Sequence, residues 1–387
     1  MSKSESKELA NSQKDSYYFQ IDFLKALMIF LVIFDHTIPW TIKNEIGVIL
    51  WERISIPVFL VIMGFNFGIS YQSKGEKKFY KNYLSRRVSR YLIPFFIIYI
   101  LTTIIGIYFY GFDFQVMLSN QNSPYNLEHL FIGIIPFWGP GNWFLPVLFG
   151  SIIILPIIYK GFSRSISFAF LSLILCFLIE IGLHSLFYSQ FKVKFYIDGA
   201  IDPVSFLNYA YTFLSITFTY ISAFGLGMWI ARNPKLFSWH NLIIWVLFII
   251  SLIYLIEYQF FDFVIKDAYG IRFLTGDYHF LAFPYSAFLV LVVIRFLPKN
   301  NKGMMKKFIS VLGKATYHIL LTQIVYFAIL IAVYGNYECT SIFGVGTGDL
   351  ECFLALFVNW AICIPIGIIW WSFENSIRVL IKKRKEN

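Results

Sequence analysis

Long apolar runs separated by short polar segments dominate the chain. Ten of these runs approach the length of about 20 apolar residues that a bilayer-spanning helix needs. Turn residues and charged residues bound each run, as expected at the ends of helices. The pattern predicts an all-α polytopic membrane protein with about ten transmembrane helices. The predicted spans are Ile21 to Thr41, Gly47 to Ser70, Leu92 to Tyr110, Trp143 to Tyr159, Ile166 to Leu186, Leu207 to Ala231, Leu242 to Leu255, His279 to Phe296, Ile309 to Tyr334 and Cys352 to Phe373.

The composition supports this prediction. Hydrophobic residues make up 58% of the 387 positions and charged residues only 14%, against roughly 25% charged residues in soluble domains. A water-soluble globule and a disordered chain are both excluded, since disorder requires low hydrophobicity. We expect a polar cytoplasmic segment over residues 1–20, one transmembrane domain over residues 21–373, and a basic cytoplasmic tail over residues 374–387.

The distribution of positive charge predicts the orientation of the chain in the membrane. Segments on the N-terminal side of the predicted spans hold 24 Lys and Arg residues, and segments on the opposite side hold 5. Cytoplasmic loops carry an excess of these residues, so both termini are expected to be cytoplasmic and the protein to reside in the cell membrane. The net charge of +10 is assigned to this orientation signal and not to nucleic-acid binding.

The first predicted span carries unusual polar side chains. Lys25 and His36 are eleven positions apart, which on a helix is about 20° beyond three full turns and about 16 Å along the axis. They therefore share one face, and Asp22 is close enough to pair with Lys25. Taken alone, Lys25 is also explained by a side chain that extends its ammonium group to the lipid headgroups at the cytoplasmic surface. Polar groups inside a span usually mark a functional interior, so His36 and the neighbouring Asp35 are candidate catalytic residues, although Asp35 can instead pair with a neighbouring span.

A basic segment between the second and third spans is the second candidate site. Arg87 and Arg90 are three positions apart and point the same way on a helix. Planar guanidinium groups pair well with phosphate oxygens, which favours a phosphorylated ligand that enters from the cytoplasm. Positive charges beside a membrane also bind anionic membrane lipids and fix topology, and this alternative stays open.

Five short motifs follow one another along the chain. They are Asp22-Phe23-Leu24-Lys25 with His36, Pro57-Val58-Phe59 to Gly64-Phe65, Arg87-x-x-Arg90 with Pro94, Asn142-Trp143-Phe144-Leu145, and Leu312-Gly313-Lys314-Ala315-Thr316-Tyr317. Their order and spacing resemble those of the acyltransferase 3 family, whose members O-acylate cell-surface glycans. Lys25 stands where that family usually has Arg, Thr316 replaces Ser, and Gln323 stands where many members have His, so no catalytic role is assigned to Gln323.

The resemblance implies a reaction and a set of site residues. The donor would be cytoplasmic acyl-CoA, with acetyl-CoA preferred by family habit, and its phosphates would contact Lys25, Arg87 and Arg90. His36 would act as a general base or as a nucleophile that carries the acyl group. The acceptor would be a glycan or a lipid-linked sugar on the far side, in a cavity lined by Trp143.

The rival interpretation is a transporter or flippase for a glycan or lipid-linked sugar. In that case His36, Asp35, Glu180 and His318 would relay protons or bind substrate. Such proteins usually contain two symmetric halves with broken helices, and the sequence contains no such repeat. No metal site is expected, because the six His residues lack paired ligand spacing.

Further expectations concern the cysteines and one outer loop. Cys339 and Cys352 flank the last predicted outer loop, where a disulfide is possible and free thiols are the alternative. Cys176 and Cys363 lie in apolar runs and are expected to be packing residues. The loop from Phe112 to Asn142 contains an interrupted apolar run that is expected to dip into the membrane or cover an outer cavity.

The orientation can be tested with a reporter that is active only outside the cytoplasm. A fusion after Asn387 is expected to be inactive, because the charge imbalance lies in short loops where the rule applies. Reporter activity from that fusion would reverse the predicted topology and the mechanism with it.

Overall fold

The computed structural model is mostly helical. It describes residues 19–111, 139–187, 217–233, 241–298 with gaps at 262, 264, 267–271 and 275–277, and 303–386. The helices are α1 (Phe19–Thr37), α2 (Trp40–Glu45), α3 (Ser55–Lys74), α4 (Glu76–Arg87), α5 (Ile93–Tyr110), α6 (Phe144–Phe162), α7 (Ile166–Phe187), α8 (Ile221–Arg232), α9 (Leu242–Phe261), α10 (Phe283–Phe296), α11 (Met304–Tyr334) and α12 (Asp349–Glu386).

Short irregular elements connect these helices. A 3₁₀ turn (Val48–Leu50) precedes α3, and a π-helical turn (Val88–Leu92) joins α4 to α5. Two antiparallel hairpins also occur, β1 (Ile265–Lys266) with β2 (Arg272–Leu274) and β3 (Thr340–Ser341) with β4 (Gly344–Val345). These hairpins are a small departure from the predicted all-α class.

Six helical segments of the described residues are long and apolar enough to cross a membrane. Each coincides with one of the ten predicted spans. The other four predicted spans overlap α1, which carries three charged side chains, the shorter apolar segments Ile166–Gly182 and Phe283–Phe296, and α8. The count of ten and the cytoplasmic position of both termini stay predictions. The six segments are Val48–Lys74, Tyr83–Phe109, Phe144–Phe162, Leu242–Phe261, Met304–Tyr334 and Asp349–Ile381.

The spanning helices divide into an interior and a peripheral set. In α11, 72% of the most apolar window is buried, and the value is 67% for α6 and for the segment that contains α3. The same fraction is 28% for the segment that contains α5 and for α9. A helix that is apolar all round and largely exposed faces lipid. The described part of the core therefore centres on α3, α6 and α11, together with α1 and α8, whose residues are mostly buried.

Glycines allow the interior helices to approach one another closely. A Cβ on Gly64 of α3 would overlap the backbone of Phe224 in α8, and one on Gly227 of α8 would overlap the carbonyl of Val61. Gly313 of α11 lies in the same way against the backbone of Asp22 in α1. Small residues permit such contacts between membrane helices, where packing rather than hydrophobic burial drives association. The Gly313 contact fixes α11 against the polar end of α1.

A disulfide joins Cys339 and Cys352, which confirms the bonded alternative and excludes the free thiols. Cys176 and Cys363 are buried free thiols, as predicted. The amide of Cys339 donates a hydrogen bond of 2.7 Å to the carbonyl of Thr37 at the end of α1. Asn359 of α12 donates to the Thr37 hydroxyl at 3.0 Å. The disulfide loop is thus attached to α1 one residue beyond His36.

The disulfide can be tested by labelling intact cells with a membrane-impermeant maleimide. We expect little labelling without reductant and clear labelling after reduction, because the bonded pair flanks a loop with exposed residues such as Phe343. Cys176 and Cys363 instead lie buried within the apolar helices α7 and α12. Cys339→Ser should free the thiol of Cys352 for labelling without reduction. Equal labelling of the wild type with and without reductant would contradict the bond.

Candidate functional site

The polar side chains near the start of α1 are paired within the core. Lys25 Nζ lies 2.9 Å from Asp22 Oδ1, as the spacing predicted, and 3.4 Å from the carbonyl oxygen of Gly313. Ser310 Oγ donates to Asp22 Oδ2 at 3.3 Å. A carboxylate and an ammonium group are tolerated inside a membrane helix only when such partners satisfy them. The pair therefore sets the rotation of α1 against α11.

A cavity of about 470 Å³ opens beside this pair. It brings together Lys25, Arg87 and Arg90, the three residues predicted to bind the donor, and we call it the cationic cavity. Among the described residues, its charged lining consists of six cations and the single carboxylate of Asp22. Such a lining is suited to a polyanionic ligand. The six cations are Lys25, Lys74, Arg86, Arg87, Arg90 and Lys314.

Two tyrosine rings hold the guanidinium group of Arg87. Its Cζ lies 5.3 Å from the ring centre of Tyr83 and 5.6 Å from that of Tyr91, both within cation–π range. Arg87 Nη1 also donates to the Tyr91 hydroxyl at 3.0 Å. These contacts limit the rotamers of a long side chain, so less conformational entropy is lost when it binds an anion.

Arg90 lies within the π-helical turn Val88–Leu92. A π turn contains more than the usual number of residues per turn and is frequent at functional sites. Tyr317 of α11 donates a hydrogen bond of 3.0 Å to the carbonyl of Tyr91 in the turn. The angle between Arg87 and Arg90 around the helix axis therefore differs from that of a regular α-helix. Both side chains still line the cationic cavity.

His36, at the other end of α1, is held by a residue to which sequence reasoning gave no role. His36 Nδ1 lies 3.2 Å from Gln323 Oε1. Gln323 Nε2 donates to the carbonyl of Pro140 at 3.1 Å, which orients the amide so that its oxygen faces the histidine. His36 Nδ1 must then carry the proton, and Nε2 keeps its lone pair. The arrangement makes Nε2 the basic nitrogen.

Asp35, the second candidate catalytic residue, lies beside this nitrogen but is bound elsewhere. Its Oδ1 lies 2.8 Å from Lys43 Nζ and its Oδ2 3.4 Å from Arg53 Nη1. The distance from Asp35 Oδ2 to His36 Nε2 is 4.0 Å, which is too long for a hydrogen bond. Asp35 thus supplies a fixed negative charge near His36, and pairs with neighbouring elements as the sequence allowed.

Trp143, predicted to line an acceptor cavity, shares a cavity of about 50 Å³ with His36 and Asp35, which we call the His36 cavity. The Trp143 ring centre is 5.9 Å from those of Tyr220 and Tyr278. Gly141 forms one wall with a φ of +91°, and a Cβ there would lie 3.3 Å from His36 Cε1. A glycine is therefore needed both for the backbone and for access to the imidazole.

Among the described residues, only apolar side chains form the wall shared by the two cavities. Four described residues line both cavities, one each from α1, α3, α6 and α11: Val32, Ile56, Phe144 and Leu320. The cationic cavity and the His36 cavity are thus neighbours along the face of α1 that carries Lys25 and His36. Pre-formed cavities with apolar walls and a few placed polar groups are typical of small-molecule sites.

Several residues of the site were missed by sequence reasoning. Gln323, Arg53 and Tyr278 reach the His36 cavity or its histidine only through contacts between distant segments. Lys43 is one of the five positive charges counted on the side opposite the N-terminus, and its contact with Asp35 was not predicted. The interrupted apolar loop from Phe112 to Asn142 lies outside the described residues except for positions 139–142.

Comparison with known families agrees with this geometry. The family model of acyltransferase 3, described as an acyltransferase domain, matches residues 18–373 and so includes all of the predicted site residues. No curated protein and no solved structure matches the chain significantly. The match gives no support to the transporter or flippase alternative. The chain belongs to the acyltransferase 3 family of membrane acyltransferases.

Proposed function

We propose that this protein transfers an acyl group from cytoplasmic acyl-CoA to a hydroxyl group of a glycan or lipid-linked sugar on the opposite side of the cell membrane. The observation that carries the proposal is the pair of neighbouring cavities along α1. In the part of the chain that the structure describes, one cavity is lined by six cations, the other contains a basic histidine nitrogen, and only apolar side chains line both. A phosphorylated donor with a long uncharged arm fits this division.

Donor binding follows from the chemistry of the cationic cavity. Charge-assisted hydrogen bonds from guanidinium and ammonium groups are the strongest contacts that a protein offers to phosphate oxygens. Arg87, already restrained by Tyr83 and Tyr91, and Arg90 would bind the diphosphate. Lys25, paired with Asp22, is the cation nearest to the path along α1.

The acyl group would then pass the apolar wall to reach His36. The pantetheine arm is extended and carries no charge, so the wall of Val32, Ile56, Phe144 and Leu320 admits it more readily than the phosphates. Lys25 and His36 are separated by about 16 Å along the helix, which suits an extended arm. The His36 cavity, at about 50 Å³, favours a short group such as acetyl.

The chemical step uses His36 Nε2. As a general base it takes the proton of the acceptor hydroxyl while the oxygen attacks the thioester carbonyl carbon. The tetrahedral intermediate then loses the CoA thiolate as the carbon–sulfur bond breaks, and the imidazolium returns the proton to sulfur. The products are an ester and free CoA. The fixed charge of Asp35, 4.0 Å from Nε2, stabilises the imidazolium that forms in between.

The acceptor would occupy the side of the His36 cavity formed by Trp143 and Tyr278. Aromatic rings supply apolar contact area, and Arg53, which lies 5.9 Å from the Tyr278 ring centre, adds a hydrogen-bond donor for hydroxyl groups. This mixture of aromatic and polar groups is complementary to the surface of a sugar. Membrane lipids would surround the exposed helices α5 and α9.

Arg87→Ala and Arg90→Ala are expected to raise KM for acyl-CoA more than KM for the acceptor. Each loses a charge-assisted contact worth about 1.5–3 kcal/mol, or roughly ten- to a hundredfold. Arg295→Ala is the matched control, because Arg295 is exposed and outside the lining of the cationic cavity. Lys25→Arg should retain activity and Lys25→Ala should not. If both arginine variants show wild-type acyl-CoA kinetics, the basic segment that contains Arg87 and Arg90 serves only to orient the protein in the membrane.

His36→Ala is expected to lower turnover by at least about 10²-fold, the lower end for losing an acid–base group. The assay places labelled acetyl-CoA on the cytoplasmic face of liposomes and the candidate acceptor on the other face, and follows acetylated product and free CoA by mass. Leu27→Ala, on the exposed side of the same helix, controls for folding and insertion.

Two outcomes of the His36 assay would contradict the proposal. Undiminished turnover in His36→Ala would remove this residue from the chemistry, and transport of an unmodified substrate without CoA release would establish a transporter. A separate measurement distinguishes general-base catalysis from a covalent acyl–histidine intermediate. Release of one CoA per protein without acceptor would indicate that Nε2 carries the acyl group covalently.

A further inference from the structure

A third cavity, of about 210 Å³, lies between α11 and α12. We call it the His318 cavity. It shares Arg90, Lys314 and Tyr317 with the cationic cavity, so the two spaces have a common wall. The proposed transfer reaction uses none of the residues that line the His318 cavity alone. Its lining consists of Arg90, Lys314, Tyr317, His318, Trp371, Glu374, Asn375 and Arg378.

His318 is the buried polar group of this cavity. The residue is only 5% exposed. Its Nε2 lies 2.7 Å from Glu374 Oε2, so Nε2 carries the proton that the carboxylate accepts. Its Nδ1 is buried and has no hydrogen-bond partner among the described residues. A buried polar nitrogen without a partner is costly, which points to a ligand group that hydrogen-bonds with it.

The charges around His318 define the kind of ligand. Arg90, Lys314 and Arg378 line the cavity, and among the described residues the carboxylate of Glu374 is the one acidic group in the lining. Arg378 forms an ion pair with Glu374 and donates to the carbonyl of Ser89, so Glu374 is fixed in place. The remaining excess of positive charge favours an anion.

We propose that the His318 cavity is a subsite for a phosphate monoester, namely the 3′-phosphate on the ribose of the acyl-CoA donor. The assignment rests on the proposed function, in which the cationic cavity binds the diphosphate of the same molecule. CoA carries its phosphates in two groups, a diphosphate bridge and a monoester on the adjoining ribose. Two cationic cavities that share Arg90 and Lys314 match this division.

The orphan nitrogen of His318 distinguishes a monoester from other anions. A phosphate monoester loses its second proton with a pKa of about 6, so near neutral pH both of its forms are available. Its monoanion donates an O–H to neutral Nδ1, and its dianion accepts an N–H from the imidazolium. A phosphodiester has no proton to donate. Trp371, which also lines the cavity, offers an aromatic surface on which a nucleobase can stack.

The test measures nucleotide binding to the purified full chain in nanodiscs of zwitterionic lipid. Calorimetry compares adenosine 3′,5′-bisphosphate with adenosine 5′-phosphate, which lacks the 3′-phosphate. We expect the wild type to prefer the bisphosphate by roughly ten- to a hundredfold, the effect of a charge-assisted hydrogen bond. His318→Gln and Lys314→Ala should remove most of this preference.

Lys307→Ala is the matched control, because Lys307 is an exposed lysine of the same helix and lines neither cavity. It should keep the wild-type preference. Lys314 is itself exposed, so its variant tests the subsite even if His318→Gln does not fold. Equal binding of the two nucleotides by the wild type, or a preference that survives in both variants, would overturn the assignment.

An anionic lipid is the other source of a phosphate monoester at this position. Repeating the titration in nanodiscs that contain phosphatidic acid distinguishes the two sources. Retention of phosphatidic acid that depends on Lys314 and His318, with nucleotide binding unaffected by either variant, would assign the cavity to lipid and overturn the proposal. Because binding is measured without turnover, failure of acyl transfer in the liposome assay would be seen separately.

Discussion

The structure depends on the need to satisfy charged and polar side chains inside the membrane-spanning core. α1 carries such groups at both ends, and α11 supplies partners for both of them. Ser310 and the carbonyl of Gly313 contact the Asp22–Lys25 pair, and Gln323 contacts His36. In hydrocarbon, an unsatisfied polar group costs several kcal/mol. These contacts therefore fix the rotation of α1, and that rotation directs Lys25 and His36 toward their two cavities.

The parts of the site that lie on one helix followed directly from the sequence, because a helix fixes which positions share a face. The pairing of Asp22 with Lys25 is such a case. The partners of His36 and Asp35 did not follow, since Gln323 is 287 positions away from His36, and Arg53 reaches Asp35 from a different element. A polar residue in an apolar helix signals that a partner exists, but only the packing of helices determines which residue it is.

The basic segment illustrates a different limit of helical geometry. Regular spacing placed Arg87 and Arg90 on one side of a helix, and both do line the cationic cavity. The π turn at Val88–Leu92 is not predicted by regular helical spacing. Within the turn, the carbonyl of Tyr91 accepts a hydrogen bond from the hydroxyl of Tyr317 in α11. Arg90 of the turn lines both the cationic cavity and the His318 cavity.

In the proposed reaction, the apolar wall would let the protein use a highly charged donor without opening a path for ions. Moving a phosphate across side chains such as Val32 and Phe144 would require loss of its hydration without compensation, which is prohibitively costly. An uncharged thioester arm would meet no such barrier. The wall would also limit the water that reaches a thioester bound near His36 and so protect it from hydrolysis. The proposed separation of the charged and reactive parts of the donor would thus follow from where α1, α3, α6 and α11 meet.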